Sequence, residues 1–314
     1  MSDTSLRKAV QVGPRPLDCA GFPMAKASKT LIFLHIPKTG GMTFQRILER
    51  NYARSETLTF DGSRHRTEIE SFAKLPERQR AQYRLIKGHL HFGFHRFVEG
   101  ESSYVTFLRE PIARALSFYS YARSHSDHYL HQMIKEERLG FEDLLEHGTT
   151  PEFFNHQTRM IAGGLSSPNC PLDCNALERA KQNLRANFCF VGLTEEFDAS
   201  LLLLSRMFDW GMPFYLKKNV SHEKTRPEGV DAKIRALLRD ANSLDLALYE
   251  FARTLFDEQI RAAGAPFASE LLRFQRLNSV AGSAYETYDN IKQGVQDLIG
   301  HRGGSESFTG LNRL

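Results

Sequence analysis

The sequence predicts an α/β fold in three layers, with a central, mostly parallel sheet flanked by helices. Three observations point there. Apolar or β-branched runs of strand length stand at 31–34, 83–87, 103–108 and 188–193, and such runs suit strands buried on both faces. Helical segments follow the first, third and fourth runs, the alternation expected of a parallel sheet. The chain has 314 residues, 41% hydrophobic and 25% charged, a globular composition with length for one such domain or two smaller ones.

The first unit organises the rest. Leu31, Ile32, Phe33 and Leu34 form an unbroken apolar run, Pro37 and Gly40-Gly41 stop regular structure, and Phe44, Ile47 and Leu48 recur at helical spacing. A strand–turn–helix junction presents unpaired backbone N–H groups and the positive end of a helix dipole, which suits an anion. Lys38 adds a mobile cation, and glycine lets the backbone approach a phosphate. An ordinary turn with a surface lysine is the alternative. The turn is not a Walker A loop, because the lysine precedes the glycines and no GK[ST] occurs.

Residues 53–80 are polar and carry Arg54, Arg64, Arg66, Arg78 and Arg80. They are read as a solvated helical excursion, with a polyanion-binding face as the alternative. The run at 83–87 leads into Gly88 and the histidines His89, His91 and His95. A shared metal is one reading, but no carboxylate stands among them and Phe92 and Phe94 would crowd it. One histidine as a general base is more economical, since a neutral imidazole accepts a proton near neutral pH; a purely structural loop is the third reading. The run at 103–108 ends in Arg109-Glu110-Pro111, and Pro111 suits the first turn of a helix continued by Ile112, Leu116 and Tyr119. Arg109 therefore falls at the carboxyl end of a strand, where open sheets hold their ligands. With Ser117 two turns on, it suits a phosphate. Arg114 either joins them or is solvated.

Downstream, 128–147 reads as two short helices broken at Gly140, 151–161 as another, and 172–186 as a helix capped by Asp173. Thr194 is expected to cap the helix after the fourth strand, and 214–216 to form a fifth strand before a basic segment at 217–227. Two helices follow over 231–262, with Leu244, Leu248, Phe251 and Leu255 as an apolar stripe, then an amphipathic helix at 268–277. Residues 1–28 are read as a loose arm and 301–314 as disordered.

Net charge is +4, which favours an anionic ligand but is too small to argue for nucleic acid. No run reaches the ~18 apolar residues of a membrane span. The opening residues hold no apolar h-region, so the expectation is a cytoplasmic protein with reduced thiols. Cys170 and Cys174 are near enough in sequence to pair or share a metal, but no finger-like second pair accompanies them.

Three stretches resemble the sulfotransferases that use PAPS (3′-phosphoadenosine 5′-phosphosulfate). HIPKTGGMTF at 35–44 resembles their 5′-phosphosulfate loop, in the form found in the carbohydrate branch that includes the heparan sulfate 2-O-sulfotransferases. GHL at 88–90 resembles their G-H-V or G-H-L motif, whose histidine is the proposed base. LREPIARALSFYSYAR at 108–123 resembles their 3′-phosphate segment, in which a serine follows the arginine by eight residues. VGLTEEF at 191–197 also resembles a core strand-to-helix junction of the family.

The resemblance implies a P-loop-NTPase-like fold for a domain at 29–263, leaving 1–28 as an arm and 264–314 as a helical extension and tail. It implies sulfuryl transfer from PAPS to a carbohydrate or other hydroxyl, with PAP as product and no metal. It casts His89 as the base and Lys38 as the cation at the leaving phosphate. Thr39, Gly40, Gly41, Met42 and Thr43 line that phosphate, and Arg109 and Ser117 hold the 3′-phosphate. His91 is a candidate acceptor contact or the alternative base, and Asn155, Gln157 and Arg159 resemble an N-x-x-x-R or N-x-Q-x-R acceptor pattern. A P-loop-like kinase or NTPase and a non-catalytic nucleotide- or glycan-binding protein are the competing readings. The expected absence of an anchor would depart from the Golgi-type members.

Overall fold

The computed structural model describes residues 30–60, 65–135, 138–146, 148, 150–163, 171–216 and 230–300. The arm, the basic segment at 217–227, the tail from 301, Cys19 and Cys170 lie outside the described residues. The strands are β1 (Thr30–Leu34), β2 (Thr57–Phe60), β3 (Leu85–Gly88), β4 (Ser102–Leu108) and β5 (Phe188–Leu193). They form one five-stranded sheet in the order β2-β3-β1-β4-β5, with every neighbouring pair parallel. All five residues of β1 are buried, as the apolar run at its heart requires, and β1 takes the centre. Leu31 faces Leu85 on one side and Ser103 on the other.

The helices are α1 (Gly41–Asn51), α2 (His65–Ala73), α3 (Glu77–Arg80), α4 (Pro111–Ser124), α5 (Tyr129–Lys135), α6 (Phe141–Glu146), α7 (His156–Ala162), α8 (Ala176–Asn187), α9 (Phe197–Met207), α10 (Ala232–Ala241), α11 (Ser243–Ala263) and α12 (Pro266–Gly300). They flank the sheet to give the three-layer α/β fold expected. After β1 the chain turns toward β2 and β3, and after β4 it turns toward β5. The two directions part between β1 and β4, and crevices at such switch points, beyond the carboxyl ends of the strands, bind ligands. Lys38 follows β1 and Arg109 follows β4 at that edge.

Two apolar cores hold the frame. The larger one covers the sheet and takes in α1, α8, α9, α11 and the first turns of α12 through Phe267 and Phe274. The smaller lies among α4, α5, α6 and α10, around Leu116, Phe118, Phe141, Phe153 and Leu238.

Several expectations are corrected. The fifth strand is β2, within the stretch read as a helical excursion; only Leu58 and Phe60 are buried in it, too few to signal a strand. Residues 214–216 are irregular, held by Tyr215 N–H donating to Asn278 Oδ1 at 2.8 Å and by Arg50 donating to the Phe214 carbonyl. The α8 helix starts at Ala176, so Asp173 caps a preceding turn at Asn175 N–H (2.9 Å) and pairs with Arg179 instead. Thr194 does not cap α9; its hydroxyl donates to the carbonyls of Thr39 and Leu108, both at 3.0 Å. Arg114 is not solvated but has no exposure at all.

Candidate active site

The β1–α1 turn is shaped by close approach. Lys38 and Gly40 adopt positive φ values of 71° and 82°, and glycine meets the second at no steric cost. Gly41 is required for another reason. A Cβ there would lie 1.9 Å from His35 Nε2, inside the imidazole ring. The N-cap of α1, Gly40, offers no side-chain hydrogen bond to the first turn, so the N–H groups of Gly41, Met42 and Thr43 face an anion position at the positive end of the helix. Met42 is 68% exposed and contributes only its backbone. Thr39 is fully buried, with its hydroxyl on the Ile36 carbonyl at 2.8 Å.

The other two motifs converge on this turn. Arg109 donates from Nη1 to the Lys38 carbonyl at 3.1 Å. His89 lies 2.9 Å from the His35 carbonyl through Nδ1. A carbonyl only accepts, so the His89 proton sits on Nδ1 and Nε2 carries the lone pair. That is the tautomer a base needs. Gly88, just before it, has φ 147° and lies so close to β2 that a Cβ would be 2.1 Å from the Phe60 carbonyl oxygen. The rings of Phe33, His35 and His89 form a file, with centroid separations of 5.3 and 4.5 Å.

Electrostatics here is set by burial and by neighbouring cations. The Lys38 ammonium lies 3.9 Å from the centroid of the Tyr121 ring. Burial, and then the Arg109 charge, bring its pKa down to about 8. Arg109 is also lowered by burial, opposed by Glu195, Glu110 and Tyr249. Burial and the surrounding His89, Lys87 and Lys38 hold His35 well below its ordinary value, so it is neutral. Ser117 is half-buried on α4, one turn before Tyr121, which brings that helix face toward Lys38. Glu110 accepts from Ile112 and Ala113 N–H at 3.1 and 2.6 Å, fixing the start of α4 beside Arg109.

The residues matching the acceptor pattern separate. Asn155 Oδ1 accepts from Leu244 and Asp245 N–H at 2.9 and 3.1 Å, so it serves the first turn of α11. Asp245 returns the contact, accepting from Gln157 and Thr158 N–H at 3.0 and 2.7 Å on α7. Arg159 is buried on α7, and His91 is half-buried nearby, both electrostatically felt by His156. His95 engages the Tyr104 hydroxyl at 3.0 Å, whereas His89 turns to the His35 carbonyl. Among the described residues no group of three His, Cys, Asp or Glu side chains converges as a metal set.

Three residues take roles here that the sequence did not assign them. Gln157 grips the Arg109 peptide from both sides, accepting its N–H at 3.0 Å and donating to its carbonyl at 2.9 Å. Its signal was present, as the middle of N-x-Q-x-R, but its target is the phosphate-side arginine. Tyr121 sits four residues after Ser117, a helical spacing that marks a shared face. His156 is buried, and neither ring nitrogen has a hydrogen-bond partner among the described residues.

A donor carrying a phosphosulfate fits this arrangement. The uncapped first turn of α1, the positive-φ backbone at Lys38 and Gly40, and the two cations make an anion cradle at the switch point. Comparison with known proteins agrees. A family model described as the sulfotransferase family matches residues 23–252. The galactose-3-O-sulfotransferase 3 of Homo sapiens is 27% identical over 269 residues, covering 79% of this chain and 62% of that protein. The uronyl 2-sulfotransferase of Mus musculus is 34% identical over 146 residues, 42% of this chain and 34% of that one. The heparan-sulfate 6-O-sulfotransferase 1 of Homo sapiens is 25% identical over 294 residues, 74% of this chain and 67% of that one. The chain thus spans less than two thirds of the length of the galactose relative. With the family match covering most of the chain and the fold agreeing with it, the chain belongs to the sulfotransferase family.

Proposed function

We propose that the protein transfers a sulfuryl group from PAPS to a carbohydrate hydroxyl. The observation that carries this reading is the meeting of three motifs at one sheet edge: Arg109 bonded to the Lys38 carbonyl and His89 bonded to the His35 carbonyl. The names of the relatives, on galactose, uronyl and heparan sulfate groups, support a sugar as acceptor.

The residues divide the work. Lys38 and the N–H groups from Thr39 to Thr43 would hold the phosphosulfate, and Arg109 with Ser117 the 3′-phosphate. PAPS, when bound, supplies an activated sulfuryl group on a phosphate leaving group. His89 Nε2 takes the proton of the acceptor hydroxyl, a role worth about 10²–10⁴-fold in rate. Lys38 as a cation stabilises the charge left on the phosphate of PAP. Gln157 keeps the Arg109 backbone in place, so the nucleotide is aligned before reaction. His91 and Arg159, on the His89 side, are the proposed acceptor contacts. Asn155 acts through the α7–α11 contact.

The test is transfer of label from ³⁵S-PAPS to galactose-terminated, uronate-containing and heparan oligosaccharides. The wild type is expected to label a carbohydrate, and His89→Ala to lose about 10²–10⁴-fold in turnover while binding PAP normally. Equal turnover by His89→Ala would remove it as the base. A wild type that binds PAP and labels no sugar would overturn the acceptor class.

A further inference from the structure

Behind His89 runs a buried polar file to which the transfer chemistry assigns no role. Lys87 on β3 is only 3% exposed and reaches onto α1, where its ammonium pairs with Glu49 and lies 3.5 Å from Gln45 Oε1. An ammonium only donates, so Lys87 draws the amide oxygen of Gln45 to its side. The amide nitrogen then faces His35, and Gln45 Nε2 is 3.0 Å from His35 Nδ1. An amide nitrogen also only donates, so Nδ1 of His35 is bare and its single proton is on Nε2. His35 stacks on His89 at 4.5 Å and 23° between planes, and its carbonyl takes the His89 Nδ1 proton.

Resting on the transfer reading above, we propose that Lys87 and Gln45 are positioning residues that lock His35 as a neutral Nε2–H tautomer. His89 then takes up the acceptor proton beside an uncharged ring. The purpose follows from charge. Lys38 from the turn and Lys87 from β3 already act on His35 as positive neighbours, Arg114 and Arg159 stand with His89 around the neutral His156, and Glu49 pairs with Lys87. A second imidazolium stacked on His89 would oppose the imidazolium that catalysis forms. A buried polar file of this kind holds its geometry only when each member has its partner. The Lys87–Gln45 and Gln45–His35 bonds take their direction from the Lys87 end, while the His35 carbonyl by itself fixes the His89 proton on Nδ1.

The experiment is ¹⁵N NMR of the histidine-labelled full chain near neutral pH, with kinetics on Gln45→Glu. The expected wild-type spectrum has His35 protonated on Nε2 with bare Nδ1, and His89 protonated on Nδ1. Gln45→Glu replaces the donor by a carboxylate, so His35 is expected to gain the Nδ1 proton. Turnover should then fall about tenfold or more, with the Kd for PAP within about twofold. A wild-type His35 that carries its proton on Nδ1, or on both nitrogens, would overturn the lock. So would Gln45→Glu that moves the proton and leaves turnover unchanged. If Gln45→Glu does not fold, the wild-type spectrum decides the tautomer and Lys87→Met, which frees the amide to turn, decides the kinetics. No sulfuryl transfer by the wild type would overturn the transfer reading and the purpose of the lock together. A wrong His35 tautomer would overturn the lock alone.

Discussion

Lys38 works only while charged, and its surroundings tax that charge. Burial and Arg109 lower its pKa to about 8, so the ligand-free protein loses this cation as pH rises through that value. An anion bound beside it favours the charged form and pulls the pKa back up. PAP affinity is therefore expected to weaken from pH 7 to 9.5, with protons taken up on binding near pH 8 to 9; calorimetry in buffers of different ionisation enthalpy reads both. Affinity that is flat across this range, with no proton uptake, would show that Lys38 does not meet the nucleotide. The sequence singled out Lys38 two residues before Gly40, His89 directly after Gly88, and Arg109 at the end of an apolar run. The reason for Gly41 was not legible. Its need for a bare α-carbon comes from the His35 imidazole lying across it, a contact that only the folded turn creates. Gln157 likewise carried a readable motif but an unreadable target, since its partner peptide is 48 residues away.

At the scale of elements, α7 and α11 clasp each other by their first turns. Asn155 supplies its oxygen to Leu244 and Asp245, and Asp245 supplies its carboxylate to Gln157 and Thr158. Each helix start is thereby capped by the other, which satisfies N–H groups that a helix leaves open. Asn155 has φ 47°, so Asn155→Gly suits the backbone conformation and removes the side chain with its capping oxygen. It is expected to cost about 1–2 kcal/mol, read as a lower Tm. It should also weaken PAP binding, because Gln157 follows two residues on and grips Arg109. A variant with wild-type Tm and affinity would show that the clasp is idle. Most elements were readable because apolar spacing reports burial directly, as in β1 and α4. The failures share a cause. β2 is a short edge strand with alternate residues in solvent, while 214–216 has strand-like residues but spends its backbone on Arg50 and Asn278. Neighbours far along the chain decided both.

Across the whole molecule, the sheet order turns two separate motifs into one site. The chain parts between β1 and β4, and Lys38 and Arg109 meet only because those strands are neighbours. The same packing buries His35 and His156 as neutral rings, each held well below the ordinary histidine value first by burial. Below about pH 6.5 the unfolded chain protonates both while the folded chain does not. The unfolded state then binds more protons, and stability falls as pH falls. Tm is expected to drop between pH 7 and 5.5, and His156→Leu to flatten that drop; a Tm unchanged over this range would contradict the assignment. The parallel α/β frame was readable in advance from strand and helix alternation. The strand order was not, because period and propensity describe one segment at a time.

The measurement that bears most directly on the account is calorimetric titration of PAP against the purified protein, with ADP alongside. Arg109 beside the phosphate turn, with Ser117 on the next helix, predicts that the 3′-phosphate is read: PAP should bind at least about tenfold tighter than ADP, and Arg109→Ala should erase the difference. Equal affinity for the two nucleotides would contradict the account, because a site that ignores the 3′-phosphate is not built for PAPS.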